Sequence, residues 1–225
     1  MKTVFLLTAL GAVLAVPAFA ATRDEHEFGL SFSTKATSSK SGVKFFTDRV
    51  DYKAPPQGKL ADRVASVTFV MAPGTRTNPN AYPSCSAKAL EQRGPGACPK
   101  GSKVGTGRAE VITGLPLDPI IMSAQVFTTR NGLLTYLTGS GQTQVIGLTM
   151  RGNKIVAPVP RKCLIPSDCS QGEAVLKRLS VTLNPGKIVT TPRSCPSSHK
   201  WTNTAVYQFV NGDRETETST SKCKG

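Results

Sequence analysis

Short segments of alternating apolar and polar residues, cut apart by Gly, Pro and Asn, make up most of this chain, and helix-period patterning is almost absent. Successive strand side chains point to opposite faces, so such a pattern needs a sheet with one covered face. The segments fall at 28–32, 43–50, 63–71, 104–112, 120–128, 133–138, 143–150, 155–159, 174–183 and 187–191. In 174–183, Leu176, Leu179, Val181 and Leu183 mark the inward side, with a slip at its start. Asn131-Gly132 and Gly152-Asn153 read as tight hairpin turns. The last hairpin is the plainest. Trp201, Ala205, Tyr207 and Phe209 share one parity, with Asn203 the exception, and a polar strand over 215–220 returns. A type I′ turn at Asn211-Gly212 sets Val210 opposite Asp213, Tyr207 opposite Thr216 and Cys223 opposite Lys200.

One stretch departs from the β pattern. Ser84 or Ser86 is placed to cap a short helix over 87–93, which Gly94-Pro95-Gly96 stops. Two cysteines, Cys85 and Cys98, bracket it. The expected fold is all-β: an antiparallel β-sandwich-like domain with a short helical insert closed by a disulfide.

The N-terminus limits where such a chain works. Lys2 precedes an apolar run over 4–16, and Ala18-Phe19-Ala20 offers the small residues that a signal peptidase reads. That run is too short to cross a bilayer core of about 30 Å, and no second one follows, so no transmembrane segment is expected in the mature chain. Residues 1–20 therefore read as a signal peptide, 21–42 as a polar lead-in with the first strand, and 43–225 as the β-domain. Leu115-Pro116-Leu117-Asp118-Pro119 offers an alternative subdivision near 115. The expected location is secreted, extracellular or cell-wall associated.

All six cysteines follow the export segment, where an oxidising compartment permits disulfides. Proximity favours Cys85 with Cys98, Cys163 with Cys169 and Cys195 with Cys223, although fifteen pairings exist for six cysteines. Metal binding is disfavoured, because the tightest spacing is C-x5-C and His26 and His199 lie far from it. No cofactor is expected.

Catalytic patterns are thin. His26 and His199 are the bases available to a nucleophile, and Gly139-Ser140-Gly141 lacks the spacing of a nucleophile elbow. Ser197 and Lys200 stand in an S-x-x-K spacing without its companion elements, and 96–103 approaches a phosphate loop with Ser and Lys in the wrong order. A carboxylate pair leaves no spacing rule. Asp48, Asp51, Asp118, Asp168 and Glu173 stay open as members of one.

Charge is the strongest functional hint. The chain carries 28 Lys and Arg against 14 Asp and Glu, a net +14 to which the export segment contributes Lys2 alone. Outside a cell this excess attracts anionic wall polymers or acidic polysaccharide. No compact basic run interleaves with aromatics, so no specific nucleic-acid partner is expected. Lys100, Lys103 and Arg108 after the insert are candidate binding residues. Trp201 and Tyr207 are candidates too, as a platform for sugar rings, against the simpler reading that they fill the core. Three functions follow. The first is a non-catalytic secreted or envelope-associated β-domain binding anionic or carbohydrate polymers. The others are an extracellular polysaccharide hydrolase using a carboxylate pair, and a structural or inhibitor-like secreted protein.

Asn78-Pro79-Asn80-Ala81-Tyr82-Pro83-Ser84-Cys85-Ser86, followed by the run from Cys98-Pro99 through Ser102-Lys103-Val104-Gly105-Thr106, resembles a motif of uncharacterised secreted β-rich proteins from actinobacteria. There N-P-x-A-x-P-x-C-S and C-P-x-x-S-x-V-G-T elements flank a short helical insert. The resemblance implies an exported, disulfide-bearing, β-rich protein and brings no activity, ligand or catalytic residue with it.

Overall fold

A computed structural model describes residues 25–50, 63–113, 118–160 and 174–225, with the backbone of 163–165 and 168–173. The expected signal peptide, the hinge at 115 and the link between Cys163 and Cys169 lie outside these described residues.

The strands are β1 (Glu25–Phe32), β2 (Lys40–Ser41), β3 (Val43–Val50), β4 (Val64–Val70), β5 (Arg76–Thr77), β6 (Lys103–Ile112), β7 (Ile120–Thr129) and β8 (Gly132–Gly139). They continue as β9 (Gln142–Arg151), β10 (Lys154–Pro158), β11 (Cys163–Ile165), β12 (Asp168–Glu173), β13 (Val175–Leu183), β14 (Val189–Thr190), β15 (Lys200–Phe209) and β16 (Arg214–Lys222). Among the described residues one α-helix, α1, spans Ala87–Arg93.

Eleven strands form one continuous antiparallel sheet in the order β1-β3-β13-β6-β7-β8-β9-β10-β4-β15-β16. The sheet rolls until its first and last strands meet, giving a near-barrel. That seam is closed by side chains. The Leu30 amide donates to Ser219 Oγ at 3.0 Å, and the His26 amide and Nδ1 lie 3.2 and 2.8 Å from the two Glu215 carboxylate oxygens. Polar return-strand residues thus satisfy edge amides that would otherwise template pairing with another chain.

Parity decides what fills the interior. Phe45 is fully buried while its neighbour Phe46 faces out, 36% exposed, as alternation demands. Trp201, Tyr207 and Phe209 point in beside Phe28, Leu30 and Phe69. Asn203 is buried with them because its amide is fully used. Its Oδ1 accepts from the Ala72 amide at 3.0 Å, and its Nδ2 donates to Leu30 O at 3.3 Å and Ser221 Oγ at 3.2 Å. The slip in β13 is real, with a register shift between Leu176 and Arg178.

The helical insert forms as expected. Ser86 is the N-cap, its Oγ accepting from the Ala89 amide at 3.1 Å, and the Gly94 amide closes the helix onto Leu90 O at 3.0 Å. Leu90 is fully buried with Phe127 and Leu134. Cys85 bonds to Cys98, and Cys195 to Cys223, with Cα separations of 5.0 and 5.8 Å.

Two turns differ from expectation. Tyr207 pairs with Glu215 and Lys200 with Lys222, one residue off the type I′ register. Only Gly212 (φ +95°) is left-handed, so the loop is the three-residue kind with a bulged glycine, and Asn211 Oδ1 accepts from the Asp213 amide at 2.9 Å. At β7–β8, Thr129 pairs with Gly132, which moves the turn back to Arg130-Asn131. Gly132 is needed inside the strand instead, because a Cβ there would sit 1.9 Å from Leu148 O. The turn at Gly152-Asn153 forms as expected, with Gly152 at φ +62°.

Candidate anion-binding hollow

Beside the large sheet, β2, β14 and β5 form a three-stranded one. In its register Lys40, Thr190 and Arg76 lie in one cross-strand row, and Ser41, Val189 and Thr77 in the next. Opposed residues share a face, and Val189 and Ser41 are buried, so the row holding Lys40 and Arg76 faces solvent.

Three neighbouring segments shape the surface next to that row. Residues 72–75 make a type II turn, with Pro73 second, Gly74 third at φ +89°, and the Thr75 amide donating to Ala72 O at 3.0 Å. Ser38, at φ +51°, donates its amide to Pro192 O at 2.9 Å. Thr191 clasps the two segments together. Its hydroxyl donates to Ala36 O at 2.7 Å and accepts from the Ser39 amide at 2.9 Å. Ser38, Gly74, Arg76, Thr190, Thr191 and Arg193 line an open hollow of about 280 Å³.

The electrostatics of this hollow are one-sided. No carboxylate lines it among the described residues. Arg76 and Arg193 are exposed, and neither makes an ion pair among the described residues. The hydroxyls of Ser38 and Thr190 likewise carry no hydrogen bond among the described residues, whereas that of Thr191 is spent on its clasp. The lining therefore offers two guanidinium forks and two uncommitted hydroxyls, a donor-rich surface suited to an anion.

Arg178 shows the opposite case. On the outer face of the large sheet it reaches Asp48 Oδ2 through Nε at 2.8 Å and through Nη2, with Glu110 3.8 Å away. The Asp48 hydrogen bond and charge hold its pKa above the usual value. Arg108 lies 3.9 Å from the same Glu110. The cations of that face sit among acids.

The residues singled out from sequence are scattered. Lys100 and Lys103 are exposed but do not line the hollow, and Arg108 lies on the acid-bearing face. A sugar platform of Trp201 and Tyr207 is corrected, since they are 2% and 1% exposed. Trp201 packs edge-on to Phe32 and donates Nε1 to Ser194 O at 3.4 Å, while Tyr207 stacks on His26 and shares a 2.6 Å hydrogen bond with Thr47. Their inward parity makes them core. Of the candidate acids, Asp48 is held by Arg178, and Asp118 receives the Thr113 amide and hydroxyl at 2.7–2.9 Å. Asp51 and the side chains of Asp168 and Glu173 lie outside the described residues. His26 is buried in the seam, and exposed His199 turns with φ +51°.

Arg76 was not distinguishable in the sequence. Its partners come from segments more than a hundred residues apart, Ser38 and Thr190 among them. The one local signal is Pro73-Gly74, which announces a turn and leaves the next side chains' partners unstated.

No protein-family model matches the chain, and no curated protein does. Among solved structures it is similar to ACE19, the collagen-binding subdomain of the Enterococcus faecalis surface protein ACE. The identity is 10%, over 88% of this chain and 96% of that one, and the TM-score is 0.31, a superposition too loose to transfer a site or a ligand.

Proposed function

We propose that this protein is a non-catalytic, secreted or envelope-associated binding module, and that the hollow between Arg76 and Arg193 seats an anionic group of an extracellular polymer. The observation that carries this reading is that two arginines without counter-ions and two uncommitted hydroxyls line one hollow, with no acid in the lining, among the described residues. Net charge brings polyanions near from any direction, but it is screened beyond about 8–10 Å and selects poorly. A shaped cluster of donors adds contacts that survive salt. The hollow is just below the roughly 300–1,000 Å³ of sites that engulf whole small molecules, so it fits one group of a longer chain.

The test is retention of oxidised protein on isolated anionic wall polymer at low and moderate salt. R76Q/R193Q and K100Q/K103Q each remove two positive charges. The first pair should abolish the salt-resistant fraction, and the second should reduce only the salt-sensitive fraction. Equal losses from the two pairs would show that bulk charge suffices and would remove the hollow from the account.

A further inference from the structure

We infer that the group this hollow selects is a tetrahedral oxyanion, a phosphate or sulfate ester, in preference to a carboxylate; this rests on the anion-binding reading above. The donors come from separate chain segments rather than from one plane. Arg76 stands on β5, Thr190 on β14, Arg193 on the segment after it, and Ser38 on the connection between β1 and β2. Gly74 also lines the hollow and brings a backbone N–H to it. The Gly74 amide makes no hydrogen bond among the described residues, and the positive φ of Gly74 belongs to a turn held by Thr75 and Ala72.

Ligand shape then decides the class. A carboxylate presents two oxygens with about four acceptor sites in one plane, and a single guanidinium fork takes two of them. A second guanidinium, two hydroxyls and an amide would then compete for the two coplanar sites left. The terminal oxygens of a phosphate or sulfate ester point in three directions and give those donors acceptors. Lys40, in the same cross-strand row as Thr190 and Arg76, extends the positive surface beyond the hollow for the next charge of a polymer.

The experiment titrates the oxidised mature protein with inorganic phosphate, inorganic sulfate and acetate at one ionic strength. Amide and arginine side-chain NMR shifts give both location and affinity. Phosphate or sulfate should bind about tenfold or more tightly than acetate, the scale of one or two charge-assisted hydrogen bonds. The Gly74 amide and the Arg76 and Arg193 Nε signals should move together. Which of the two tetrahedral ions binds more tightly identifies the ester. T190V should weaken phosphate or sulfate several-fold and acetate by less. If acetate matches the tetrahedral ions while R76Q/R193Q abolishes all three, the class assignment falls and the anion-binding reading stands. If no ion shifts these three signals, both fall. The wild-type titration alone reads location and rank order, so the outcome does not depend on a variant folding.

Discussion

Replacing Asn203 by Ala tests whether the rolled sheet is held closed by one buried amide. Asn203 is inaccessible to solvent and touches three separate segments: the end of β1 at Leu30, the residue after β4's exit at Ala72, and β16 at Ser221. Truncation removes three hydrogen bonds, each worth a net ~1 kcal/mol, and leaves a buried amide and a buried carbonyl to bear desolvation of about 1–3 kcal/mol each. Overlap between these terms brings the expected loss to about 3–5 kcal/mol. For a domain of this size that lowers Tm by roughly 10 °C. Urea unfolding of the oxidised protein, followed by Trp201 fluorescence, measures it. N203L separates polarity from volume, because it refills the space but still orphans the Ala72 amide. It should remain at least about 2 kcal/mol destabilised. Full recovery in N203L, or a cost below about 1 kcal/mol in N203A, would refute the reasoning. The Ala72 contact also fixes the entry to the turn that carries Gly74 and Arg76, so N203A should weaken anion binding at temperatures where it is still folded.

Removing the two described disulfides should have unequal consequences. Their sequence separations of 13 and 28 residues correspond to loop-closure terms of about 3 and about 3.5 kcal/mol. C195S/C223S should also loosen the segment bearing Arg193 and reduce anion affinity, while C85S/C98S should not. Urea midpoints and phosphate titration check this, and unchanged anion affinity in C195S/C223S contradicts it. Stability should also fall in strong alkali through Tyr207. Burial, ahead of its other neighbours, pushes this phenol above its ordinary value. The folded state then holds the proton more tightly than the unfolded chain does, so the contribution is intact below pH ~10 and is lost as pH rises through the folded value. Y207F should flatten that part of the stability–pH curve, and an unchanged slope would locate the alkaline loss elsewhere.

Much of the architecture was legible because it depends on local rules. Alternation located β3 at its observed ends, and Ser86 with Gly94 bounded α1. The illegible parts are the exact geometry of turns and the contacts between distant residues. Asn211-Gly212 matches the type I′ signature, yet the Asn211 side chain bonds to the Asp213 amide and only Gly212 adopts positive φ, which shifts the hairpin by one residue. That shift turns Glu215, Ser219 and Ser221 toward β1 and β15, where they close the seam. Ser140-Gly141 carried no expectation of a turn, and both residues take positive φ between β8 and β9. Closure of one sheet upon itself was equally invisible, because period-2 segments say which face is covered and not which strand covers it.

The candidate site was illegible for a different reason. With twice as many basic as acidic residues, this chain must leave many cations without partners, so an unpaired arginine is not by itself informative. What matters is where the few acids go. Asp48 and Glu110 stand with Arg178 and Arg108 on the face of the large sheet and offset its charge there. The small sheet has no acid among the described residues lining its hollow, and there two guanidinium groups share the lining with hydroxyls that have no other engagement. Charge alone would attract a polyanion to both surfaces. Only the second gathers unspent donors around one hollow, so only there should binding outlast the salt that screens the rest.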